Sequence, residues 1–108
     1  MYVSRLTFHT LPGRTQEVEQ RLLTLRHWVQ QAGGVNPRVM RTHYSSSGAP
    51  DLVFEQEVED PGALEDQIKK VTEFGDFQQW SREVSELLEQ PSKRELYCVM
   101  DGAGKHAK

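Results

Sequence analysis

The chain has 108 residues, 13 basic against 16 acidic side chains, a formal net charge of −3 and 36% hydrophobic residues. That length fits one domain, expected over residues 1–100, and the low apolar content implies a thin core that a second copy would help to cover. There is no basic tract and no run near the roughly 18 apolar residues of a membrane span, so neither nucleic acid nor membrane is an expected partner. The single cysteine, Cys98, forms no intrachain disulfide, which fits a reducing, cytoplasmic setting. Arg5 and His9 interrupt the first apolar segment, which does not read as a signal peptide.

Tyr2 to Thr10 alternates as a strand, with Tyr2, Leu6 and Phe8 on one side and Val3, Arg5, Thr7 and His9 on the other. Leu11-Pro12-Gly13 ends it. Arg14 to Ala32 carries Val18, Leu22, Leu25 and Val29 in steps of three and four, with Trp28 beside them, and predicts a helix. Thr15 is its expected cap, and Gly33-Gly34 stops it. Pro37 to Tyr44 reads as a second strand and Ser45 to Pro50 as a loop. Asp51 to Val58 is a third strand, with Leu52, Phe54 and Val58 on one side and Val53, Glu55 and Glu57 on the other; Gln56 breaks the apolar side. Asp60-Pro61 opens a helix bearing Leu64, Ile68 and Val71, and Gly75 breaks or kinks it. Asp76 is the expected cap of its continuation, whose inward residues are Phe77, Trp80, Val84, Leu87 and Leu88. Arg94 to Met100 is the last strand, with Leu96, Cys98 and Met100 on one side. Residues 101–108 show no pattern and are expected to form a disordered tail.

The order β-α-β-β-α-β predicts an α+β, ferredoxin-like fold: a four-stranded antiparallel sheet, spatial order fourth-first-third-second, with the helices on one face. The helix side is expected to gather Leu6, Phe8, Met40, Leu52, Phe54, Val58, Leu96, Cys98 and Met100. The other side would gather Arg5, His9, Arg41, His43, Glu55, Glu57 and Tyr97 with Val3, Val39, Val53 and Val99. Matched acids and bases on adjacent strands suit a solvated sheet face, worth about 0.2–1 kcal/mol per pair. They suit equally a face closed by a second copy of the chain, where each buried carboxylate needs a cation.

The element order, the length, the aromatic second helix with Phe74, Phe77 and Trp80, and the terminal Arg94-Glu95-Leu96-Tyr97-Cys98-Val99 pattern resemble the dimeric α/β-barrel superfamily. Within it the chain is similar to antibiotic-biosynthesis-monooxygenase-like and NIPSNAP-like small proteins, over about residues 2–100. The resemblance implies a homodimer whose two sheets form a barrel, and a ligand cavity in each subunit between sheet and helices. Phe8, Leu25, Trp28, Met40, Phe54, Phe74, Phe77 and Trp80 would line that cavity and suit a small aromatic molecule; the same residues also suit plain core packing. Haem-degrading members resemble one another in carrying a histidine on the second helix. Residues 61–89 contain none, so haem degradation is not expected. The cofactor-independent monooxygenases of the superfamily imply Trp28, Tyr44, Trp80 and Tyr97 as candidates around a phenolic substrate.

No His-Glu-x-x-His, Cys-x-x-Cys, phosphate loop, dinucleotide fingerprint or nucleophile elbow occurs, and the sequence points to neither a metal nor an organic cofactor. His9 and His43 are expected in structural pairs on the charged face, with acid–base work as the alternative. His27 fits either the cavity wall or water. Cys98 is expected as a small packed residue on the core side. Two functions follow: a cofactor-independent monooxygenase with an aromatic cavity, or a non-catalytic dimeric module that binds a small molecule or a protein.

Overall fold

A computed structural model describes residues 1–102. The elements are β1 (Tyr2–Phe8), α1 (Thr15–Gln31), β2 (Val35–Arg41), β3 (Leu52–Val58), α2 (Pro61–Thr72), α3 (Phe77–Ser85) and β4 (Lys93–Cys98). All strand pairs are antiparallel, in the spatial order β2-β3-β1-β4. This is the ferredoxin-like arrangement, with its second helix divided at Gly75. Residues 103–108, most of the expected tail, lie outside the described residues.

The core lies between one sheet face and the helices. β1 and β3 pair in a register that sets Leu6 against Phe54 and Phe8 against Leu52. Phe8, Leu52 and Phe54 pack with Val18, Leu22, Leu25, Trp28 and Val29 of α1, Val71 of α2 and Val84 of α3. The apolar steps of α1 therefore meet the apolar side of the two central strands, as its 3.6-residue period requires. His27 lies on the opposite, exposed side of α1.

Caps divide differently from expectation. Asp60 caps α2, accepting a hydrogen bond from the Ala63 amide at 2.8 Å, with Pro61 behind it. Asp76 makes no side-chain cap bond to α3, and Thr15 does not cap α1. The Thr15 hydroxyl is committed instead to Thr10, at 2.6 Å, which ties the helix start to the end of β1. α1 ends as expected, with Gly33 at φ 97.

The face assignment of β2 must be corrected. Arg38 lies opposite Glu55, Val39 opposite Phe54, Met40 opposite Val53 and Arg41 opposite Leu52. Val39 and Arg41 therefore take the helix side, while Met40 and Arg38 take the open side. The expectation ran the other way because each side of this strand carries one apolar residue and one arginine, so hydrophobicity does not choose. An irregularity between Val35 and Arg38, with Asn36 at φ 51, sets the phase. Val39 packs against the core, and Arg41 reaches α1, where its Nη2 donates to Glu19 at 2.5 Å.

A second correction concerns β4, which contacts β1 while the helices stop short of it. Leu96 is exposed, and so is Cys98, which the sequence placed in the core. Met100, 88% exposed, lies beyond the strand.

Gly34, between α1 and β2, is held by close approach. A Cβ there would meet Val29 Cγ1 at 2.4 Å, Gln56 Oε1 at 2.8 Å and the Val29 carbonyl at 3.0 Å. Gly34→Ala should therefore destabilise by about 1–3 kcal/mol through overpacking, and a thermal melt coinciding with wild type would refute the close contact.

Candidate functional site

A cleft of about 200 Å³ opens between the sheet and the helices. The sheet supplies Leu6, Phe8 and Phe54 as its floor, and α1 adds Leu25 and Val29. Ile68 and Val71 of α2 and Phe77, Trp80 and Val84 of α3 close the opposite wall. Of the residues expected in a ligand cavity, Phe8, Leu25, Phe54, Phe77 and Trp80 are thus brought together.

Trp28 and Phe74 do not line this cleft. They stack on each other with centroids 5.7 Å apart, and Trp28 also meets the Trp80 ring edge-on at 5.8 Å. The group is an aromatic brace between α1 and α3, strengthened by the Trp80 indole N–H, which donates to the Arg21 carbonyl at 2.9 Å. Met40 is excluded because it lies on the other side of the sheet.

The cleft also contains polar groups that sequence reasoning left out of the site. Gln56 of β3 and Gln67 of α2 are 2% and 6% exposed. Arg94 of β4 aligns with Leu6 across β1 and so belongs to the helix side; its Nη1 donates to Ser4 Oγ at 2.5 Å. The signal for Arg94 was readable, since it alternates with Leu96 and Cys98. Gln67 took a helical position expected of Ile68, which is only half-buried.

The open sheet face is organised around Glu55, whose side chain is 8% exposed. Arg5 donates to its Oε1 through Nη2 at 2.7 Å and Nε at 3.1 Å. Arg38 binds its Oε2 from the other flanking strand and lies 3.8 Å from Glu57. Tyr97 donates to Glu95 at 2.7 Å, and the Arg5 guanidinium lies 5.3 Å from the Tyr97 ring centre. Of the expected interface residues, Arg5, Glu55, Glu57 and Tyr97 meet here. Arg41 does not, and Arg38 takes the place assigned to it.

His9 and His43 lie beyond the ends of their strands rather than within the face. The His9 ring N–H donates to the Gly48 carbonyl at 3.0 Å, and its Nδ1 accepts from Gln90 at 3.2 Å, so His9 pins the β2–β3 loop to the end of the α3–β4 connection. His43 is exposed and packs edge-on against Tyr44, which is 90% exposed and distant in role from the cleft.

Burial pushes the Glu55 carboxyl upward, but the Arg5 hydrogen bond and the charge and hydrogen bond of Arg38 outweigh it, leaving it below its ordinary 4.5. A depressed carboxyl contributes stability that is present above the ordinary value and is lost as pH falls through the lower folded value. Glu55→Gln should accordingly be less stable than wild type by ~1.5–3 kcal/mol at neutrality. The difference should shrink as melts are taken to pH below 4.5, and a constant difference would refute the pairing.

Among the described residues no three His, Cys, Asp or Glu side chains converge to hold a metal ion, and no helix is long and apolar enough to cross a membrane.

The architecture is that of a ferredoxin-like α+β protein with an apolar cleft on its helix side and an ion-paired open sheet face. The sequence matches no family model and no curated protein. Solved structures are nevertheless similar in fold. A NIPSNAP domain protein from Burkholderia xenovorans superposes with a TM-score of 0.73 at 15% identity, over 97% of this chain and 100% of that one. Proteins assigned as antibiotic biosynthesis monooxygenases from Nitrosomonas europaea and Deinococcus radiodurans give TM-scores of 0.70 and 0.69 at 12% and 14% identity. They cover 94% and 99% of this chain and 100% of their own chains. The chain therefore has the fold of the monooxygenase-like and NIPSNAP-like proteins.

Proposed function

We propose that the protein is a homodimer that binds a small apolar or aromatic molecule in the cleft between sheet and helices. The observation that carries the reading is the cleft itself, walled by Phe8, Phe54, Phe77 and Trp80. The dimer would form by closing two open sheet faces on each other. That face carries half-buried Val3, Met40 and Val53 around the Arg5–Glu55–Arg38 group and is covered by no helix among the described residues. Glu55 and Glu57 already have their cations, so a second copy would bury these as matched pairs rather than lone charges.

Light scattering on the eluting protein should give twice the chain mass at micromolar concentration, and a monomer would reject the assembly. Arg38→Ala should weaken the dimer, whereas Arg41→Ala should not, because Arg41 binds Glu19 on the helix side.

Two chemical outcomes are compatible with the cleft. Oxygenation is suggested by the monooxygenase names of the Nitrosomonas and Deinococcus proteins, and the aromatic walls of the cleft suit an aromatic substrate. A non-catalytic binding role is favoured by the lining, which contains no histidine, cysteine or carboxylate to move a proton. Oxygen uptake across a panel of quinols and naphthols separates them. Consumption that is lost in Phe54→Trp, which fills the cleft, supports the enzyme; binding without consumption supports the module.

A further inference from the structure

Arg94 is the one charged residue among the described residues that line the cleft. Arg94 lies on an exposed edge strand, and its Nη1 donates to Ser4, which is 1% exposed. No carboxylate among the described residues comes within ion-pair distance of it. The neighbouring acid, Glu95, points to the opposite sheet face, where it accepts from Tyr97. Burial accordingly pushes the Arg94 guanidinium below the ordinary arginine value, with no opposing charge to offset it. A guanidinium has five N–H donors, and Ser4 takes one.

Two further polar groups line the same cleft without side-chain partners among the described residues. Gln56 Oε1 is fully buried and accepts no hydrogen bond, and no hydrogen bond engages the Gln67 amide among the described residues. Buried polar groups are ordinarily satisfied, and Arg94 lines an apolar cleft from an exposed strand with no carboxylate beside it, leaving its remaining donors free to take an anion. In a chain with an excess of acids, all of them kept out of this lining, such a cation marks the place of an anion brought from outside.

We infer that the cleft takes a small apolar molecule bearing a single carboxylate, gripped by Arg94 while Phe8, Phe54, Phe77 and Trp80 enclose its apolar body. A guanidinium fork matches a planar carboxylate through two parallel hydrogen bonds, which a neutral ligand cannot reproduce. The inference rests on the cleft being a ligand site and adds the chemical class of the ligand.

The test uses the full chain and the matched probes 1-naphthoate and 1-naphthamide, followed by calorimetry and by tryptophan fluorescence. Naphthoate should bind at least about tenfold more tightly than naphthamide, a difference of about 1.4 kcal/mol. Arg94→Gln should remove that preference by weakening naphthoate far more than naphthamide, and Arg94→Lys should retain part of it. Equal wild-type affinities for the two probes would overturn the assignment of Arg94 yet leave the cleft as a ligand site. A naphthoate preference that persists in Arg94→Gln would also overturn it. Failure of both probes to bind would remove the ligand site and this inference together. Should Arg94→Gln not fold, the wild-type ratio and the Arg94→Lys ratio decide the matter.

Discussion

Trp80→Ala is expected to lower stability by about 3 kcal/mol, toward the lower end of the range for deleting a large aromatic, because the ring is only half-buried. The loss has several sources. The indole packs edge-on against Trp28 and stacks on Phe77 with centroids 5.7 Å apart. Its N–H also joins α3 to the Arg21 carbonyl of α1. α3 has nine residues and buries only Val84 fully, so it has little else to hold it against α1. The same substitution opens one wall of the cleft. Chemical denaturation with the ligand probes present and absent reads both effects, and a midpoint equal to wild type would show that the brace between α1 and α3 carries no energy. Trp80→Phe should recover most of the stability, since it keeps the ring contacts and loses only the hydrogen bond.

The second large effect is expected on assembly. Glu55→Ala leaves Arg5 and Arg38 facing each other across β3 without their shared carboxylate. In the separated chain both guanidiniums turn to water, since they are 41% and 33% exposed. In the proposed dimer they cannot, and removing one partner of a buried pair costs about 3–5 kcal/mol. The dimer dissociation constant should rise by at least about a hundredfold, near 2.7 kcal/mol, in sedimentation equilibrium. The folded monomer should survive with a smaller loss. An unchanged constant would mean that the two sheets do not meet at this face. Restoring the pair by charge reversal, with Glu55→Arg in one chain and Arg5→Glu and Arg38→Glu in another, should favour the mixed species.

The strands and helices were legible because their patterns were strong and local. The steps of α1, the Asp60-Pro61 start of α2 and the break at Gly75 each have a one-residue cause. β2 was ambiguous for a physical reason: Val39 balances Met40 and Arg41 balances Arg38, so only the irregularity after Val35 chooses the face. That one turn of phase moved Arg41 to the helix side and Met40 out of the cleft. Cys98 was misplaced because alternation tells which side a residue takes, not how far the helices extend over it. The candidate cleft was half legible. Its aromatic walls follow from the helical stripe and the strand alternation. Gln56 and Gln67 look like blemishes in those patterns, and only the packed structure shows them lining the same cleft as Arg94.

The two edges of the sheet have a consequence for how these molecules associate. A bare strand edge invites lateral addition of further strands, the route to fibrils. On one border the irregularity between Val35 and Arg38 spans Pro37, which lacks an amide hydrogen, and disturbs the template. On the other border β4 begins Lys93-Arg94-Glu95, a charged stretch that incoming strands would have to match. Growth in the plane of the sheet is thereby discouraged at both ends, so concentrated protein should remain in small, closed particles rather than extend into filaments.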